Sequence, residues 1–366
     1  MSGALYQQVF EALRDDIQTG RFAVGERLPS DAALGERFGV SAITLKRALE
    51  LLKNDGYISR RARVGTFVIS DVATSSASGY TLSHPLVGLV VTNFDDTFGV
   101  KVLAGVLDQA NTSINLIIKR SLGDESAEDQ LIRALFDSGV RALILQPSSS
   151  VYVPAAVLEL ITQNFPMVIL DRVFEGVPIS TVCSDNVTGG QLATEHLMSL
   201  GHEHIGLVTS SSTVTTLEDR RTGFVKAFAT MHVPQSDGMV FTGTRSTTPG
   251  SSATPQQDIE QLSSYLVSHP QLTAAVATEY NIALMLREAA HRVGRSVPDD
   301  LSIVCFDHPD DFYDTSQFRF THIRQDQERM GREAVDLANQ LMRQPNEVHK
   351  VGLPVELIIG ASTRPI

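Results

Sequence analysis

The sequence predicts an α/β protein: a small, mostly helical domain carrying two short strands, followed by a large body of parallel βαβ units. Three observations predict it. From Leu86 onward, apolar runs (VGLVV, NLIIK, ALILQ, MVILD, HIGLVT, AAVAT and LSIVCFD) alternate with helical stretches about every 25 to 35 residues, as parallel strands joined by crossover helices require. Before them, apolar residues recur at helical spacing in three short segments, each ending at or near a glycine. Between the two regions, residues 71–84 (DVATSSASGYTLSH) are small and polar with no period, the composition of a flexible connection.

Taken in order, Leu5, Val9, Leu13 and Ile17 line one face of a first helix that stops at Gly20, a glycine C-cap. Ser30, after Pro29, is the N-cap of a second helix with Ala33, Leu34 and Phe38 on one face and Gly39 at its end. Ser41 caps a third, whose Leu45, Ala48, Leu49 and Leu52 face inward and which ends near Asp55-Gly56. Two short helices separated by Gly39-Val40 make a helix-turn-helix. Tyr57-Ile58, the basic stretch Arg60 to Val64, and Gly65 to Ile69 read as two short strands around a turn, a wing. Farther on, residues 242–254 (TGTRSTTPGSSAT) read as a mobile loop, and no internal sequence repeat is found. The expected organisation is a winged helix-turn-helix over 1–70, a linker over 71–84 and the α/β body over 85–366.

Composition narrows the function. With 42% apolar and 20% charged residues, 366 residues make an ordinary globular chain of two or three domains. The start MSGALYQQVFEALRDD has no signal-peptide pattern, and no apolar run approaches the roughly 20 residues of a membrane span, so a cytoplasmic protein is expected. Cys183 and Cys305 each fall in an apolar strand-like run without CxxC spacing, so buried thiols are expected rather than a disulfide or metal site. His202-Glu203-His204 lacks further ligands at suitable spacing and reads as a surface turn, and no metal or cofactor is expected. The net charge of −12 is uneven: residues 1–70 hold ten Lys/Arg against eight Asp/Glu, so the head alone is compatible with phosphates.

The segment LPSDAALGERFGVSAITLKRALELLKNDGYISRRARVGTFV resembles the GntR-family DNA-binding domain across residues 4 to 69. From residue 86 the chain instead resembles the LacI/GalR regulators, whose sensor domain is similar to periplasmic sugar-binding proteins. VGLVV with Phe98 and AGVLDQA, ALILQP, PMVILDR, SDNVTGGQLATEHLMSLGHEHIGLV, DRRTGF, VPDDLSIVCFD and THIRQDQERMGREAVDLA occur in that family's order. The resemblance implies a two-lobed, periplasmic-binding-protein-like body, with lobe 1 over about 85–185 and 324–351 and lobe 2 over about 186–322 and 352–366. Crossovers are then expected near 186, 323 and 352. A GntR-type reader on a LacI-type sensor is the combination of arabinose-repressor-like regulators, and implies a sequence-specific repressor released from its operator by a monosaccharide such as arabinose. A purine or sugar phosphate, and a corepressor-type response, are the alternatives.

In a winged helix the third helix enters the major groove, where a Lys or Arg donates to guanine while hydroxyls and amides hold phosphates. Lys46 is the first candidate base reader, with Thr44 on the same side and Arg47 beside it; Ser30 and Ser41 stand at helix N-termini that favour phosphate. Arg61, Arg63 and Thr66 are the wing's candidates. Ala42 stands where the family usually has an arginine, and Arg63-Val64 replaces its glycine-containing wing tip.

Sugars are held by carboxylates, amides and guanidinium groups that take adjacent hydroxyls in pairs, with an aromatic face against the ring. In open α/β sheets the ligand lies beyond the carboxyl ends of the strands, where Asp171, Arg220, Glu279 and Asp307 are expected. Each also matches a ligand-contacting position of the LacI/GalR motifs. Phe98 is the stacking candidate, with Asn93, Arg172 and Gln325 as companions. Glu279-Tyr280 replaces the family's Asn-Asp, turning an amide into a carboxylate. Three acids disfavour a phosphorylated ligand. An enzyme reading, as in GntR-headed aminotransferases, would need a longer partner domain and a cofactor lysine, and Lys101, Lys119, Lys226 and Lys350 show no such context. A transport component would need an export signal and no DNA-binding head. Operator DNA, a small-molecule effector and a second copy of the chain in a two-fold dimer are the expected partners; a membrane is not.

Overall fold

The computed structural model describes residues 5–61, 65–71, 84–94, 97–234, 239–309 and 318–366. It divides into two compact units, Met1–Ser83 and His84–Ile366.

In the first unit, α1 (Leu5–Gln18), α2 (Asp31–Phe38) and α3 (Ala42–Asn54) precede a hairpin of β1 (Ile58–Arg61) and β2 (Gly65–Val68). Val9, Leu13 and Ile17 of α1 pack on Leu45, Ala48, Leu49 and Leu52 of α3, with Leu34 and Tyr57 closing a core that excludes water. Each such aliphatic side chain contributes about 1.5–3 kcal/mol. The expected caps are present: the Ser30 hydroxyl accepts from Ala33 N (3.3 Å), the Ser41 hydroxyl from Thr44 N (3.3 Å), and Gly39 closes α2 at φ 61°. Asp16 accepts from both Arg21 (3.0 Å) and Arg37 (2.5 Å), joining the end of α1 to α2.

The second unit holds two six-stranded sheets. Lobe 1 contains β3 (Leu86–Val91), α4 (Thr97–Ala110), β4 (Asn115–Arg120), α5 (Glu125–Asp137), β5 (Ala142–Leu145), α6 (Ala155–Thr162), β6 (Met167–Leu170) and β7 (Ser180–Ser184). Lobe 2 follows with α7 (Asn186–Ser199), β8 (Ile205–Ser210), α8 (Thr215–Met231), β9 (Val240–Thr244), α9 (Pro255–Ser268), β10 (Ala274–Ala277), α10 (Tyr280–Arg292), β11 (Ser302–Phe306) and β12 (Thr321–Gln325). The chain returns through α11 (Gln327–Leu341) and β13 (Lys350–Leu353) to lobe 1 and ends on β14 (Val355–Ile358) in lobe 2. The crossovers fall at Asp185, Asp326 and Pro354; the second and third lie two or three residues beyond the expected positions, because β12 and β13 each finish on their own sheet first.

The sheet orders, β4-β3-β5-β6-β7-β13 and β9-β8-β10-β11-β12-β14, are the same path drawn twice. The last strand differs: β13 runs parallel to β7, whereas β14 runs antiparallel to β12. Each lobe also repeats one helix crossing without side chains. A Cβ on Gly105 of α4 would overlap the Glu328 carbonyl of α11, and one on Gly331 the Val102 carbonyl; in lobe 2, Gly190 of α7 meets the Arg220 carbonyl and Gly223 of α8 the Val187 carbonyl. The helices therefore touch backbone to backbone, and a methyl group at any of these positions forces them apart.

Residues 242–254 depart from the expected mobile loop. Thr242 to Thr244 belong to β9, and the buried Asp258 carboxylate accepts Arg245 N (3.1 and 3.0 Å) and Ser246 N (2.7 Å), fixing the turn that follows. His202 is also not on the surface: its Nδ1 pairs with Thr273 Oγ1 (3.0 Å) and its Nε2 with the Arg364 carbonyl (3.1 Å), pinning the last residues to lobe 2. Among the described residues no helix is long and apolar enough to cross a membrane.

Candidate functional site

On the head, α3 turns Lys46 and Arg47 to solvent while Leu45, Ala48 and Leu49 pack inward, the 3.6-residue alternation of an amphipathic helix. Arg47 lies over the Tyr6 ring at 4.4 Å, so its guanidinium is braced by α1, and Lys46 beside it is exposed. Ser41 Oγ sits 3.0 Å from Thr44 Oγ1, so the two hydroxyls share one hydrogen bond at the helix N-terminus. Ser30 is exposed at the start of α2. Of the basic run, Arg60 pairs with Asp31 (2.6 Å), which ties the wing to α2 and occupies that charge. Thr66 must be corrected: it is buried at 7% exposure on the Val68 side of β2, with its carbonyl accepting from Leu28 N, and is a packing residue. Arg63 lies outside the described residues, and for Arg61 only the backbone, in β1, is described. The sequence gives no signal for Arg27, which bridges Phe67 of β2 as a single isolated pair and lays its guanidinium against Gly65 at the root of the wing; one bridging residue has no period to reveal it.

In the body, a cleft of about 840 Å³, open water included, gathers Phe98, Asp171, Arg172, Arg220, Glu279 and Asp307. Asp171 directly follows β6 and Asp307 directly follows β11, the equivalent strands of the two lobes. Each gives its backbone N–H to the next strand (Val182 O at 2.8 Å; Ile323 O at 2.9 Å) and then turns into the left-handed region, at φ 66° and φ 62°. That conformation costs on the order of 1 kcal/mol for a non-glycine residue, least for Asp and Asn, and it turns each carboxylate off the sheet end into the cleft.

Arg220 does not follow a strand, as expected, but sits in the second turn of α8, carried into the cleft by the glycine crossing with α7. It is buried: Nε donates to Asn186 Oδ1 (2.8 Å), Nη1 to the Thr278 carbonyl (2.6 Å), and its Cζ lies 4.1 Å from the Phe306 ring centroid. Burial lowers its pKa, opposed by Asp307, Asp171 and Glu279. Burial likewise raises Asp171, against the pull of Arg172 and Arg220, and lifts Asp307 to about 6 against Arg220 and the Gln325 amide. Three acids thus surround one buried guanidinium, a competition of charges within the cleft.

Two expected residues lie elsewhere. Asn93 folds back, its Oδ1 accepting from Phe94 N (3.1 Å), and lines a separate small apolar void. Gln325 does not line the cleft but stands behind it, its Nε2 donating to Asp307 Oδ2 (2.7 Å). Phe98 serves both readings, packed partly on the lobe 1 core and partly lining the cleft. Gln146 was not foreseen: its Nε2 donates to Asp171 Oδ2 (3.2 Å), and its Oε1 accepts Thr92 Oγ1 (3.1 Å). Tyr280, Ser210, Thr247 and Thr248 also line the cleft. Gln146 ends the ALILQ run and so carried the same strand-end signal as the acids; Thr247 and Thr248 were hidden in a stretch whose composition resembles disorder. Across the mouth, Thr215 N donates to Ser150 Oγ (2.9 Å) and Val173 N to Thr215 Oγ1 (3.0 Å), so the two lobes are hydrogen-bonded beside the site. No group of three or more metal-ligating side chains occurs among the described residues.

Comparison with known proteins finds matches for both units. Residues 5–68 match the family described as bacterial regulatory proteins, gntR family, and residues 194–363 match a periplasmic binding protein-like domain. An arabinose metabolism transcriptional repressor of Geobacillus stearothermophilus is 25% identical over 99% of this chain and 98% of its own length. A ribose operon repressor of Halalkalibacterium halodurans is 28% identical over 73% of this chain and 77% of its own. Among solved structures, a LacI family transcriptional regulator of Enterococcus faecium with bound ribose superposes at a TM-score of 0.64 and 24% identity, covering 77% of this chain and 99% of that one.

Proposed function

We propose, from the premise that one chain carries a gntR-family head and a periplasmic-binding-protein-like body, that this protein is a transcriptional repressor whose operator affinity is controlled by a neutral monosaccharide. The observation that carries the effector half is the pair of strand-end carboxylates, Asp171 and Asp307, presented by opposite lobes at positive φ around the buried Arg220. Carboxylates accept from adjacent hydroxyls in pairs, and Arg220 donates to a ring or hydroxyl oxygen. The acids outnumber the guanidinium groups, so a phosphate would enter against the local charge. Arabinose is the first candidate, since the full-length relative is an arabinose metabolism repressor.

The head supplies the DNA half: Lys46 reads a base edge from α3, and Ser30, Ser41 and Thr44 hold phosphates at the two helix N-termini. Ligand in the cleft favours one inter-lobe angle. In a two-fold dimer that angle sets the relation of two heads to a palindromic operator, so sugar releases DNA. A regulator of chromosomal genes acts in the cytoplasm. The test is a thermal-shift screen against pentoses, hexoses, sugar phosphates and purines. A sugar at about 100 times its Kd stabilises by roughly 2.7 kcal/mol. Stabilisation by free monosaccharides that Asp307→Ala removes supports the reading; stabilisation by purines or phosphates alone overturns the sugar.

A further inference from the structure

Asp307 belongs to lobe 2, yet one of its two oxygens is held by lobe 1. Gln327, the first residue of α11, donates from Nε2 to Asp307 Oδ1 at 2.6 Å, and it is 95% buried, with 5% of its surface exposed. Its neighbour across the crossover, Gln325, donates to the other oxygen from the end of β12. The carboxylate thus sits in a fork with one prong on each side of Asp326. Helix α11 packs into the lobe 1 core through Met330, Ala334 and Val335, and one turn beyond Gln327 its Gly331 lies directly on the α4 backbone at Val102. With no side chain at that crossing there is nothing to absorb a small displacement. Helix α4 in turn carries Phe98 to the far side of the cleft and Lys101, whose charge acts on Asp307.

We propose that Gln327 is the positioning residue through which a ligand bound at Asp307 is felt by lobe 1, with α11 and α4 moving as one unit. The proposal rests on the reading of the cleft as the effector site. A ligand hydroxyl that engages Asp307 draws on the same carboxylate that holds the start of α11, so occupancy and helix position are linked by a single buried amide. The groups facing Asp307 from the surrounding elements are Arg220 of α8, Asp171 beyond β6, Lys101 of α4 and the two glutamine amides; Glu279, before α10, shares the cleft.

The test uses the full chain as wild type, Gln327→Met and Gln327→Glu. Without ligand, the melting temperature of the body is followed from pH 4.5 to 8. Gln327→Glu sets a second carboxyl against Asp307 Oδ1, and two such groups share a proton at low pH and repel when both ionise. Its melting temperature is therefore expected to fall by at least about 5 °C more than wild type across this range, whereas Gln327→Met, which only takes one donor from the Asp307 carboxylate, departs from wild type in the same direction by a smaller amount. A Gln327→Glu profile parallel to wild type overturns the pairing. In the second arm, hydrogen exchange of α4 amides is measured with and without saturating L-arabinose. Wild type is expected to slow about tenfold and Gln327→Met, at its own saturating concentration, less than threefold. Equal slowing in both overturns the coupling. If no monosaccharide shifts the wild-type melting temperature, the proposed effector fails, and the ligand-free pH comparison then decides the pairing alone.

Discussion

Replacing Asp307 by Asn should make the protein more stable at neutral pH while abolishing its ligand response. The carboxyl is lifted from 3.8 to about 6, first by burial and also by Asp171, against Arg220, Gln325 and Lys101. In the window between those two values the folded state holds a proton that the unfolded state has released. Stability therefore falls as pH rises through it, and the full cost is present above about pH 6. Two units correspond to about 3 kcal/mol. For a body of roughly 280 residues the unfolding entropy is about 0.6 kcal/mol per kelvin, so the cost amounts to about 5 °C. Asn tolerates the left-handed φ of 62° at least as well as Asp, and the fork adapts, because Gln325 Oε1 has no partner among the described residues and a flip of that amide offers an acceptor to the new NH2. Calorimetry of the body transition at pH 4, 5, 6 and 7 should show the two proteins coinciding at pH 4 and separating by about 5 °C at pH 7, with the variant higher. Parallel curves, or a variant that is less stable at pH 7, would refute the argument that this site is held at the expense of folding stability.

Other expectations follow from the same structure. Gly190→Ala places a methyl on the Arg220 carbonyl; it should cost about 1–3 kcal/mol in urea unfolding and weaken ligand binding at least tenfold, with Ala at the exposed Gly352 as the control that does neither. Asp258→Asn should loosen the turn from Arg245 to Gly250, read as faster proteolysis at that turn and a higher ligand Kd with little change in operator affinity. Lys46→Ala should weaken specific operator binding by about 1–3 kcal/mol in a gel shift while leaving ligand binding intact; unchanged affinity would remove Lys46 as the base reader.

The head was readable from its sequence because each boundary is a local chemical event: Ser30 and Ser41 cap, Gly39 adopts positive φ, and the helices between them bury one stripe. Most strands of the body were readable because they are buried on both faces and read as unbroken apolar runs; β4, half-exposed at a sheet edge, was readable because its run Leu116 to Ile118 is apolar all the same. Strands β9, β13 and β14 were not, since VFTGT, KVGL and VELI mix exposed and buried positions at or near sheet edges, where the polar content of a loop is allowed. The duplicated lobe topology left no repeat in the sequence, because only a few positions, such as the helix-crossing glycines and the strand-end acids, require a particular residue. Within the site, the acids announced themselves by following β6 and β11. Gln327 did not, because its role depends on α11 of one lobe meeting Asp307 of the other, a relation between residues 20 positions apart that no window of sequence displays. Thr66 is the converse case, where the alternation with Val68 already placed it on the inner face.

Three chain crossings, at Asp185, Asp326 and Pro354, join the lobes. One strand would leave the lobes free to swivel, and two would still permit twist about the line joining them. Three bound side by side act like the knuckles of a door hinge, suppressing torsion and sliding and leaving a single soft rotation. Whatever enters the cleft is then converted into one number, an angle. Molecules of different shape that prop the lobes to the same opening are equivalent to everything downstream, so discrimination among ligands must be completed by the cleft's own contacts before the hinge reports.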